Sequence, residues 1–210
     1  MKTRYLLVSF CVMFFISGCA SFQAATNVES GREAFLIGHN EAALGYFQRA
    51  AQIDPNYAYG TALKESVWSY VGRSEYSIGN LPQARNSLEK ALSVNKEEDM
   101  ARLYLGLTLA RSGDQRQGLR EIQAGMRGIS DWIDYITQAY RFSFGEFWDT
   151  RREIRSAIQS DLAMIDSKAL DWQKLISDGE WLGKRVEEEI NLARRDERED
   201  RMRDTSGRGG

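Results

Sequence analysis

Few side chains in this 210-residue chain could do chemistry: there is one histidine, His39, and two cysteines, Cys11 and Cys19. As a general base, His39 would need an oriented carboxylate and a nucleophile around a pocket, and Glu41 beside it in sequence supplies neither. Paired acids occur at Glu187-Glu188-Glu189 and at Asp161 near Asp166, but such runs are more often solvated helix faces than glycosidase dyads. There is no phosphate-cradling glycine loop ahead of a helix, no paired histidines with metal spacing and no nucleophile elbow. The expectation is a protein without catalytic residues, without a metal and without a bound cofactor. The remaining reactive group is the thiol of Cys19, preceded by Ile16, Ser17 and Gly18.

What positions that thiol is an apolar run, Leu6 to Ile16, behind Lys2 and Arg4. The run has the length and positive flank of a signal-peptide core and falls short of the ~20 apolar residues that cross a bilayer. Bulky Ile16, small Ser17 and Gly18, then Cys19 resembles the lipobox of bacterial lipoproteins. The alternative is a plain signal peptide with a coincidental cysteine. The resemblance implies removal of residues 1–18 and a covalent diacylglycerol and N-acyl lipid on Cys19, which becomes the first residue of the mature chain. Several acyl chains, each CH₂ contributing ~0.8 kcal/mol, would anchor it stably. Ala20 and Ser21 after the cysteine, with no aspartate, resemble lipoproteins sent to the outer membrane, facing the periplasm. The mature chain then has no thiol for a disulfide or a zinc site. Loss of Lys2 and Arg4 takes the charge balance from 28 basic against 30 acidic residues to 26 against 30, net −4. So mild an acidity argues against nucleic acid as a partner.

Only two prolines, Pro55 and Pro82, interrupt a chain rich in Ala, Leu, Glu, Gln and Arg, which predicts an all-α protein. One phrase occurs three times: a glycine turn (Gly38, Gly79, Gly113), then a helix with small, large and small residues on one face. These are Ala43, Phe47 and Ala50; Ala84, Leu88 and Ala91; and Gly118, Ile122 and Gly125. A first helix precedes each, marked by Trp68, Val71 and Gly72 in the second copy, by Tyr104, Leu105 and Gly106 in the third, and by Gly31 and Ala34 in the first. These motifs resemble tetratricopeptide (TPR) repeats over residues 25–128, about half the chain, with Pro55 as the terminal proline of the first copy. Ala84 to Gly118 is 34 residues, the TPR period, whereas Ala43 to Ala84 is 41, so about seven residues are inserted after Pro55. Gly118 and Gly125 depart from the family pattern, which has alanine there. The resemblance implies a TPR-like α-solenoid of about three helix pairs.

Domain organisation follows: signal peptide 1–18, linker 19–29, repeats 30–128, a helical segment 129–195 packing on the solenoid as a cap, and a charged, disordered tail 196–210. Within the cap, Ser130-Asp131 predicts the start of a short helix from Trp132 to Tyr140. Thr150-Arg-Arg-Glu153 has the spacing of a capping box opening a helix with Ile154, Ile158, Leu162 and Ile165 on one face. A last helix carries Trp172, Leu175, Leu182, Val186 and Ile190.

The concave face that the resemblance implies would present Val28, Arg32 and Phe35, then Ser69, Arg73 and Tyr76, then Leu103, Leu107 and Ala110. Arg32 and Arg73 fall at equivalent places, and beside Phe35 and Tyr76 they suit a carboxylate of an extended peptide. The alternative is that both arginines pair with neighbouring acids. The apolar third copy would be filled by the chain's own Phe142–Trp148 segment. The function expected is a membrane-anchored, non-enzymatic scaffold or adaptor that binds envelope proteins or peptide segments. A second reading, a ligand-binding accessory lipoprotein of a solute-uptake or envelope assembly system, would use Trp132, Tyr140, Phe144 and Trp148 as pocket walls.

Overall fold

A computed structural model describes residues 20–60, 63–167 and 170–207. The expected signal peptide 1–18 and Cys19 lie outside the described residues. Within them the chain is all-α: eight helices, α1 (residues 20–36), α2 (Asn40–Ile53), α3 (Val67–Ser77), α4 (Leu81–Val94), α5 (Asp99–Arg111), α6 (Gln115–Ala139), α7 (Glu153–Asp166) and α8 (Trp172–Gly207). A two-stranded antiparallel hairpin, β1 (Ala58–Tyr59) and β2 (Glu65–Ser66), joins α2 to α3, and a 3₁₀ turn spans Phe144–Phe147. No helix among the described residues is long and apolar enough to cross a membrane. The chain forms two compact units that divide inside α5, between Ala101 and Arg102.

Three helix pairs, α1/α2, α3/α4 and α5/α6, share one local geometry. Each turns on a glycine in the left-handed region, Gly38 (φ +81°), Gly79 (φ +80°) and Gly113 (φ +98°). The residues that follow, His39, Asn80 and Asp114, have φ/ψ of −83/65°, −82/64° and −86/67°. Their N–H groups donate to the carbonyl five residues back, that of Ala34, Glu75 and Leu109, at 2.8, 2.8 and 3.0 Å. Helix approach repeats as well. A Cβ added at Gly31, Gly72 or Gly106 would lie 2.5 Å from an atom of Phe47, Leu88 or Ile122 respectively, in each case sixteen residues on. The absent side chain lets the large residue of the second helix seat against the backbone of the first, which close packing requires. Ala43, Ala84 and Gly118 and, a little under one turn beyond Phe47 and Leu88, Ala50 and Ala91 are buried on the same faces.

In the first unit, α3 packs between α2 and α4, with Val28, Phe47, Tyr70, Tyr76 and Leu88 nearly or wholly inaccessible. The seven extra residues between the first and second copies form the hairpin. In the second unit α6 is one helix of 25 residues, not two. Ile122, Met126, Ile129, Ile133 and Ile136 are buried at alternating steps of four and three, so the apolar stripe crosses Ser130-Asp131 in phase and the helix has no reason to stop. The start of α7 also differs from the capping box. Thr150 is exposed, and the Asp149 carboxylate accepts from the N–H groups of Ile154 (3.0 Å) and Arg155 (3.2 Å). Arg152, with φ +58°, precedes the helix without a side-chain cap.

The last helix runs on to Gly207, past residue 196, where composition suggested a loose tail. Its glycines seat it against α5. Added Cβ atoms at Gly179 and Gly183 would fall 2.9 Å from Leu107 Cδ2 and 2.5 Å from Tyr104 Cε2. Leu103 and Leu107 are fully buried, and the segment seated on that face is α8. Phe142, at 84 % exposure, stands in solvent, while Trp148 is buried edge-on to Trp132 with ring centroids 4.6 Å apart.

Candidate functional site

The four residues singled out for partner binding lie on α1 and α3, and the structure gathers three of them, Arg32, Phe35 and Arg73, around one buried cluster. Arg32, Arg73 and Tyr76 are at most 2 % exposed, and Phe35 is half-buried. The Arg73 guanidinium lies 5.3 Å from the ring centres of both Phe35 and Tyr70. Tyr70 in turn stacks on Phe47 at 4.9 Å and meets Tyr59 edge-on at 6.2 Å.

What buries the arginines is the hairpin. Its cross-strand pair Tyr59 and Glu65 faces inward with both residues buried, while Ala58 and Ser66, the other pair, are exposed and half-buried. The Glu65 carboxylate accepts from Arg73 Nη1 at 2.6 Å and from the Ser69 hydroxyl at 3.4 Å. Arg32 Nη1 donates to the Tyr59 hydroxyl and to Glu29 at 3.3 Å, and that hydroxyl donates to Glu29 Oε1 at 2.9 Å. The arginines thus pair with acids, as the alternative reading had it: the Arg73–Glu65 pair is buried, whereas Glu29, the acid on Arg32, is 52 % exposed. A second carboxylate, Glu98, is 3 % exposed and accepts from the Ser66 N–H at 2.7 Å and its hydroxyl at 3.1 Å. Burial raises its pKa against the opposing pull of the serine hydrogen bonds and of Arg73. Ser66 also caps α3, accepting from the Ser69 N–H at 3.2 Å, so one serine ties hairpin, helix start and Glu98 together.

Glu29, Tyr59, Glu65, Tyr70 and Glu98 are members of this cluster that sequence reasoning did not single out. The available signal was the excess of seven residues between the first two copies, which marked where extra structure must lie without giving its form.

The second unit holds two further polar clusters. Asp149, 1 % exposed, pairs with Arg155 Nε at 2.9 Å and donates its own N–H to Glu189 at 2.6 Å, while Arg155 reaches Asp134 at 2.9 Å and Arg185 reaches Glu189 at 2.8 Å. Between α7 and α8, buried Asp161 sits 3.9 Å from Lys174, which also pairs with Asp178. Burial, then a shared hydrogen bond with Asp178, pushes the Asp161 carboxyl up to about 7. Its partner is therefore Asp178, not Asp166.

His39 is exposed at the turn before α2. The aromatic residues considered as pocket walls are engaged with one another, Trp132 with Trp148 and Tyr140 stacked on Phe144 at 4.6 Å, and Tyr140 also meets Tyr135 edge-on at 6.1 Å. Among the described residues no group of three or more histidine, cysteine, aspartate or glutamate side chains is placed to hold a metal ion. Compared with known proteins, the chain matches no family model and no curated protein.

Proposed function

We propose that this protein is a lipid-anchored TPR-like scaffold of the bacterial envelope, which binds partner proteins or peptide segments without doing chemistry on them. The observation that carries the reading is the geometry shared by the three helix pairs: the same turn, the same hydrogen bond to the fifth residue back, and the same glycine receiving the large residue sixteen positions on. A pair of this kind leaves an apolar face that only a neighbour can bury, which is the construction principle of solenoid repeats. Lipidation of Cys19, delivery to the outer membrane and a periplasmic orientation rest on the residues around the cysteine. Arg32, Phe35, Arg73 and Tyr76 are the proposed partner-binding set, with a peptide carboxylate as the group they suit.

The reading is tested by metabolic labelling with a palmitate analogue in a two-membraned bacterium, comparing the wild type with Cys19→Ser, followed by crosslinking of the membrane-bound protein. Label that depends on Cys19 and specific crosslinked partners are expected. An unlabelled, fully soluble wild-type product would overturn the anchor, and an absence of crosslinked protein in the membrane fraction would overturn the scaffold.

A further inference from the structure

The hairpin between α2 and α3 lies against Arg32 and Arg73, the two arginines of the proposed partner-binding set. Its inward pair, Tyr59 and Glu65, lies on the two arginines, while of its other pair Ala58 is exposed and Ser66, half-buried, is tied to Glu98 and to the start of α3, so it is a short strap against Arg32 and Arg73. We propose that Glu65 is an internal occupant: its carboxylate stands in for the carboxylate of a peptide ligand at Arg73, and the strap must give way before such a ligand binds. This rests on the scaffold reading for the identity of the ligand as a peptide.

Three features carry the inference. First, the connection is longer than the fold needs. The link from α4 to α5 has only residues 95–98, whereas that from α2 to α3 has residues 54–66, so a helix pair can follow another without a hairpin. Second, the strands are two residues each, and an isolated two-stranded hairpin is marginal in water. Side-chain anchors must therefore hold it: Glu65 on Arg73, Tyr59 on Arg32, Ser66 on Glu98, and the Trp68 indole N–H donating to the Pro55 carbonyl at 2.8 Å. Third, the strongest anchor is chemically a carboxylate on a guanidinium, with Phe35 and Tyr70 beside the cation. A buried guanidinium is costly without an anion, and Glu98, which also acts on Arg73, is held by Ser66, so a ligand that displaces Glu65 gains most by bringing a carboxylate of its own. Neutral ligands of similar size offer no exchange.

The experiment deletes the internal carboxylate and supplies one from solution. In Glu65→Ala, thermal unfolding is followed against increasing acetate and, separately, acetamide at matched ionic strength. Binding of a fluorescently labelled apolar pentapeptide with a free C-terminal carboxylate is compared with that of its amide. The expected result is a melting temperature lowered in the variant, at least half restored by acetate and not by acetamide. The peptide acid should bind the variant at least tenfold more tightly than it binds the wild type, and the amide should bind neither. Should Glu65→Ala not fold alone, the readout becomes recovery of folded protein on refolding into acetate versus acetamide, with recovery in acetate only expected. Equal responses to acetate and acetamide, or a wild type that binds the peptide acid as tightly as the variant, overturn the proposal. The double variant Glu65→Ala/Arg73→Leu should show no acetate response, and an acetate response there would also overturn it. Crosslinking of the wild type is read separately: partners captured without acid-specific rescue refute the strap alone, while rescue without any captured partner refutes the scaffold alone.

Discussion

Replacement of Gly72 by alanine should change sign with its background. Alanine is favoured over glycine inside a helix by ~0.5–1 kcal/mol. Against that, its Cβ would lie 2.5 and 2.9 Å from Cγ and Cδ2 of Leu88, an overlap that typically costs ~1–3 kcal/mol. Gly72→Ala alone should therefore destabilise the first unit by about 1 kcal/mol, the difference of these two effects. Leu88→Ala alone should lose ~2–5 kcal/mol, because Leu88 is fully buried. It also removes both clashing atoms, leaving the Ala84 carbonyl oxygen at 3.2 Å of the three nearest, so adding Gly72→Ala to it should stabilise by ~0.5–1 kcal/mol. The same cycle in the third pair must come out differently. A Cβ at Gly106 meets the backbone, Ile122 N at 2.5 Å and Gly118 O at 2.8 Å, and truncating Ile122 cannot move either atom. Gly106→Ala should therefore destabilise in both backgrounds. Urea unfolding midpoints followed by circular dichroism, with tryptophan fluorescence to separate the two units, give the four differences of each cycle. Gly72→Ala destabilising the Leu88→Ala background as much as the wild type would refute the argument that side-chain overlap sets the glycine.

Other consequences follow from the same contacts. Asp161 keeps its proton in the folded state until about pH 7 but releases it near 3.8 when unfolded, so the unfolded chain binds fewer protons between those values. Its contribution to stability is fully present below about pH 4 and lost as pH rises through 7, at no more than ~1.4 kcal/mol per pH unit. Asp161→Asn should flatten that part of a profile of urea midpoint against pH, and an unchanged slope would count against the Asp161–Asp178 contact. Asp149→Ala should destabilise by ~3–5 kcal/mol, since it strips a buried partner from Arg155 and the cap from α7. Thr150→Ala should stay within ~0.5 kcal/mol, and thermal melts showing the reverse order would restore the capping box. Gly183→Leu should lift α8 from Tyr104 and open Lys184, Arg185 and Arg194 to limited trypsin digestion, a pattern the wild type should resist.

Much of the helical architecture was legible because its signals are periodic. The glycine turns and the small-large-small faces recur at fixed intervals, and each of the turn glycines Gly38, Gly79 and Gly113 has the positive φ that its type permits. The hairpin was not legible, since strands of two residues are too short to display alternation. The break expected at Ser130 was a capping preference outweighed by an apolar stripe that continued in phase. At α7, aspartate one residue ahead of the expected threonine supplied the cap, a competition between neighbours that spacing alone does not decide. For the site, repeat register put Arg32 and Arg73 at equivalent places, but the residues that meet them, Tyr59 and Glu65, reach them through tertiary contact from the hairpin.

Three turns, each a left-handed glycine followed by a residue whose φ and ψ agree within a few degrees, act as standardised joints. Their tripeptides, Gly38-His39-Asn40, Gly79-Asn80-Leu81 and Gly113-Asp114-Gln115, should be exchangeable like fittings of one gauge. The modules they link can then differ inside, with phenylalanine, leucine or isoleucine as the filler, while the mechanical plan stays constant. A designer wishing to lengthen or shorten this protein would cut there, because the joints carry the alignment and the fillers only tune it.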